Sequence, residues 1–69
     1  MSKLTKIDEF IIFCLEAYKN KYELRGEDVL NLFQKFKIFS FLENGYDVLH
    51  TQSMEYIISE IHQLIKNQE

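Results

Sequence analysis

Proline and tryptophan are missing from this chain, glycine occurs twice and cysteine once. Without proline nothing forces a helix to break. With glycine only at Gly26 and Gly45, no linker, repeat or low-complexity tract can be drawn, so a single domain over residues 1–69 is expected. The two glycines stand too far apart for a phosphate-cradling loop. A lone Cys14 excludes an intrachain disulfide and a cysteine-rich zinc site. The longest apolar run, Phe10–Leu15, is too short to cross a bilayer, and the first residues lack the zones of a signal peptide, so no membrane association and a cytoplasmic location are expected. A cluster of positive charge is also lacking. The net charge is −3 and the eight Lys and Arg residues are dispersed, whereas a nucleic-acid module concentrates them on one face.

Large apolar side chains are plentiful. The chain is 46% hydrophobic and carries six Phe and four Tyr. A domain of this size buries only about 60% of the surface its unfolded chain exposes. The surplus points to a protein partner or a homo-oligomer.

Helical periodicity organises most of the sequence. From about Lys6 to Lys21, Ile7, Phe10, Ile11, Phe13, Cys14, Leu15, Ala17 and Tyr18 form one continuous apolar arc of roughly 200°, wider than a surface helix needs. The first helix is therefore expected to be central, with Thr5 as N-cap, Cys14 buried and Ile12, outside the arc, exposed. Val29, Leu32, Phe33 and Phe36 share one face of a second helix over Glu27–Phe36. Ser40 is expected to cap a short third turn holding Phe41 and Leu42, and Gly45 to end it in the left-handed conformation. Thr51 reads as the N-cap of a last helix over Gln52–Asn67, buried through Met54, Ile57, Ile58, Ile61, Leu64 and Ile65, with Tyr56 on the opposite, polar face. Acidic residues open these helices and basic ones close them, Glu27 and Asp28 against Lys35 and Lys37 in the second, so helix dipoles account for most charges. The expected architecture is an all-α bundle of three main helices plus one short helical turn.

The stretch Tyr46-Asp47-Val48-Leu49-His50-Thr51-Gln52 follows neither helical nor strand periodicity and is the candidate for special function. His50 near Asp47 is raw material for general-base chemistry. More simply, Asp47, His50 and Thr51 fix the approach to the last helix by hydrogen bonds while Val48 or Leu49 plugs the core. Metal binding by His50, His62, Glu55 and Asp47 is not expected, because no pair of them stands at the four-residue helical spacing of a ligand pair. Cys14, mid-helix on the apolar arc, should be inert. A helix-turn-helix ending in the last helix would present Glu55, Ser59, Glu60 and Gln63 to phosphate with only Lys66 basic, against DNA binding.

The runs Phe10–Tyr18, Val29–Phe36 and Tyr46–Gln52 resemble, over nearly the whole chain, a family of short bacterial proteins classed as a domain of unknown function. The block Tyr-Asp-x-Leu-His-Thr-Gln is its most specific part, and Ser53 stands where a glycine is expected after it. The resemblance implies a gene neighbour resembling an ADP-ribosyltransferase, and with it a toxin–antitoxin or regulatory pair; it implies no catalytic residue. The resulting expectation is a non-enzymatic protein-interaction module, an antitoxin or accessory subunit, with Ile12 and Tyr56 on its interaction surface and without cofactor or metal. A small DNA-binding regulator is the alternative, and a small enzyme using His50 ranks behind it.

Overall fold

A computed structural model describes residues 4–69, and the described chain is an all-α bundle with no strands. Its helices are α1 (Lys6–Lys21), α2 (Gly26–Lys35), α3 (Ile38–Asn44), α4 (Tyr46–Leu49) and α5 (Met54–Gln68). The expected third turn is thus a seven-residue helix, and a further helical turn, α4, precedes the last helix.

Helix α1 opens with a capping box. The Thr5 hydroxyl accepts from the Asp8 N–H at 3.0 Å, and the Asp8 carboxylate accepts from the Thr5 N–H at 3.2 Å, so two donors that no helical carbonyl can reach are satisfied. The helix closes where Glu23 takes a left-handed φ of 52° and the Leu24 N–H donates to the Lys19 carbonyl at 2.9 Å. As its broad apolar arc predicts, α1 packs against α2, α3 and α5.

The link from α2 to α3 differs from the expected one. Lys37 does not close α2. It adopts φ 57° and ψ 35°, turning the chain so that Ile38, wholly buried, begins α3. Ser40 therefore lies inside α3 and caps nothing: the helix starts earlier because burying Ile38 outweighs a side-chain cap. Gly45 is also not left-handed, with φ −95° and ψ 6°. Glycine is needed there for space, since a Cβ would come within 2.9 Å of Leu49 Cδ1 and 3.0 Å of the Phe41 carbonyl oxygen.

Twelve side chains form the core: Cys14 and Tyr18 of α1, Val29 and Phe33 of α2 with Phe36 just after it, Ile38 and Leu42 of α3, Leu49 of α4, and Ile57, Ile58, Ile61 and Ile65 of α5. The helical phases expected for α2 and α5 are those found. At the far end of α5, the Gln68 amide donates to the Phe36 carbonyl at 3.2 Å, tying the last turn to the end of α2. No helix among the described residues is long and apolar enough to cross a membrane.

Candidate functional site

The Tyr46–Gln52 block is more regular than its sequence suggests. Tyr46–Leu49 is one helical turn, too short to display a period. The Tyr46 ring stacks on His50, centroids 4.5 Å apart and planes at 11°, and meets Phe10 of α1 edge-on at 5.3 Å. Because a carbonyl can only accept, the 2.6 Å contact between His50 Nδ1 and the Tyr46 carbonyl oxygen puts the His50 proton on Nδ1. Leu49 is the buried plug, whereas Val48 is 66% exposed.

Three details overturn the expected wiring. Thr51 does not cap α5: its hydroxyl donates at 2.7 Å to the Val48 carbonyl, closing α4. The N-cap is Ser53, whose hydroxyl accepts from the Tyr56 N–H at 3.1 Å, so α5 begins at Met54 and not at Gln52. His50 and Thr51 thus bond backward into α4, and Asp47 and Gln52 are exposed. Among the described residues no hydrogen bond or ion pair joins Asp47 to His50. The donors weighed as metal ligands are not gathered either; no cluster of three or more His, Cys, Asp or Glu is present among the described residues.

The outer face of α1 carries more apolar surface than expected. Ile12 is exposed, as its helical phase predicts, but so is Phe13, at 66%, although its phase puts it on the core arc. Cys14 and Tyr18 mark the line along which α1 meets its neighbours. Phe13 sits at the margin of the arc, beyond the reach of the flanking helices. Together with Leu4 and Glu9, Ile12 and Phe13 line a surface depression of about 210 Å³. Tyr56 is about half exposed on α5 and does not line this depression.

A second concavity, about 360 Å³, lies between the end of α1 and the first half of α5, where Tyr22, Lys21 and Ala17 face Ile58, Met54 and His62. Its wall is preorganised. The buried Tyr18 hydroxyl lies 3.2 Å from His62 Nδ1, and the His62 ring stacks on Tyr22 at 4.8 Å and 14°. Burial first, then the neighbouring Tyr22 and Glu69, raise the pKa of Tyr18 above its ordinary value, so the phenol stays protonated and can donate to the imidazole. In the sequence His62 stands out only as a possible metal ligand. The available signal was Tyr18 and Tyr22 four residues apart, one helical turn, leaving both rings free to meet α5.

Cys14 is wholly buried, and burial pushes its thiol pKa up to about 12. It is a packing residue, as expected from its place on the arc.

The family model described as "Protein of unknown function (DUF3791)" matches residues 9–68, and the chain belongs to that family. The comparisons with curated proteins and with solved structures gave no match.

Proposed function

We propose that this chain is a non-enzymatic protein-interaction module of the bacterial cytoplasm, serving as the antitoxin or accessory subunit of a toxin–antitoxin-like pair. The observation that carries the reading is the pairing of Ile12 and Phe13 on the solvent side of α1, around a depression able to receive a side chain. Adjacent large apolar side chains on an otherwise charged face cost solubility and gain nothing for the fold, and such patches mark contact surfaces. Tyr56 is a second exposed contact residue, on α5.

The resemblance to proteins encoded beside ADP-ribosyltransferase-like neighbours supplies the candidate partner class. Charge supports this reading over a DNA-binding regulator: the exposed side of α5 bears Glu55, Ser59 and Gln63 with Lys66 as its one basic residue, and the whole chain is acidic. The test is co-expression with the product of the adjacent gene, an ADP-ribosyltransferase-like protein on this reading, and size-exclusion chromatography of the product. A stable complex is expected, weakened by Ile12→Glu or Phe13→Glu with helicity intact. Separate elution of the two proteins, together with a monomeric chain unaffected by either substitution, would refute the reading.

A further inference from the structure

On the solvent face of α1, Glu9, Ile12, Phe13 and Glu16 stand at positions i, i+3, i+4 and i+7 of a helix, which place all four on one side, with the exposed Lys6 one turn before Glu9 and Lys19 one turn after Glu16. Two carboxylates therefore bracket an apolar pair, roughly 10 Å apart along the axis at 1.5 Å per residue. Glu9 has no ion pair among the described residues, and Glu16 has only a loose, exposed contact with Lys19 at 3.9 Å. Leu4 closes the depression between Glu9, Ile12 and Phe13, whose volume of about 210 Å³ suits one large apolar side chain.

A second copy of the chain fits this face badly. An antiparallel copy crossing at Ile12 and Phe13 sets Glu9 against the other copy's Glu16, and a parallel one sets Glu9 against Glu9. Like charges at the rim of an apolar contact oppose it in either orientation. The charge pattern selects its complement instead.

We infer that this face receives a segment of a partner protein in which an apolar anchor side chain is flanked on both sides by lysine or arginine. The inference rests on the interaction-module reading and adds the chemistry of what is bound. The anchor fills the depression between Ile12 and Phe13, where it is desolvated and supplies most of the affinity. The flanking cations meet Glu9 and Glu16 at the wet rim, where they set orientation and association rate. The larger cleft between α1 and α5 offers no such selection, since Lys21 and Glu55 both line it.

The experiment uses the full chain, isotopically labelled, and two synthetic helical peptides that share a Leu-Leu core and differ only in having Lys or Glu on both sides at three-residue spacing. At low ionic strength the Lys peptide is expected to shift the amide resonances of Glu9, Ile12, Phe13 and Glu16. It should bind about three- to tenfold more tightly than the Glu peptide, the scale of two exposed ion pairs. The double substitution Glu9→Lys with Glu16→Lys should reverse the preference, and Ile12→Glu should weaken both peptides. Equal binding of the two peptides, or shifts centred on the α1/α5 cleft, would overturn the inference. Sedimentation separates its failure from that of the broader reading. A dimer dissolved by Ile12→Glu would replace the basic partner with a second copy and leave the interaction role standing, whereas no association of any kind through Ile12 or Phe13 would sink both.

Discussion

Leu49 packs its side chain onto the backbone of Gly45, so closely that a Cβ on residue 45 would lie 2.9 Å from Leu49 Cδ1. The contact couples the end of α3 to the plug that α4 inserts into the core. Gly45→Ala should therefore destabilise the domain by about 1–3 kcal/mol through overpacking, although the residue has an ordinary negative φ. Leu49→Ala should cost about 2–5 kcal/mol as a buried truncation. Urea midpoints check both, and an unchanged midpoint in Gly45→Ala would mean that Leu49 moves aside freely.

The capping assignment separates two neighbouring hydroxyls. Ser53→Ala removes the acceptor of the Tyr56 N–H and should cost about 1 kcal/mol. Thr51→Ala removes only an exposed bond to the Val48 carbonyl, and its loss should stay within about 0.5 kcal/mol. Thermal denaturation of the two variants side by side decides the order; the reverse order would return the cap to Thr51.

Burial of Cys14 makes stability depend on alkaline pH. Its pKa is raised from 9.0 to about 12 in the folded chain, so the contribution is fully present below pH 9 and is lost as pH climbs toward 12, because the unfolded chain releases the proton first. Stability should fall in that window by about 1.4 kcal/mol per pH unit from this group. Tyr18, also raised, adds to the slope above its ordinary pKa of 10.0. Chemical denaturation of Cys14→Ala across the same range should show a shallower slope than the parent, and identical slopes would count against burial of the thiol. By the same reasoning, thiol reagents at neutral pH should label the native protein only after unfolding.

Phe13 distinguishes surface from core directly. Because it is 66% exposed, Phe13→Glu should shift stability by less than about 0.5 kcal/mol, as should Ile12→Glu and Tyr56→Glu, while a core Phe truncated would cost about 3–5 kcal/mol. Circular dichroism melts measure the first effect and sedimentation the second. A collapse of the Phe13→Glu fold would place the ring back in the core.

Amphipathic period and composition were enough to establish the helical class, the central α1, the buried faces of α2 and α5, the Thr5 cap and the burial of Cys14. Each of these follows from local sequence, because a helix long enough to show several turns displays its buried side in the order of its residues. Tertiary structure decided the rest. Whether Phe13 is covered depends on where α1's neighbours stop, and the phase of a single helix does not contain that. Lys37 and Glu23 take left-handed backbone that their side chains do not advertise, while Gly45, which does advertise it, is needed for the close approach of Leu49. The choice between Thr51 and Ser53 as cap turned on whether Tyr46–Leu49 forms a helical turn that claims Thr51 for itself. The Tyr18, Tyr22 and His62 assembly joins residues from the two ends of the chain, and only packing α1 against α5 brings them within reach.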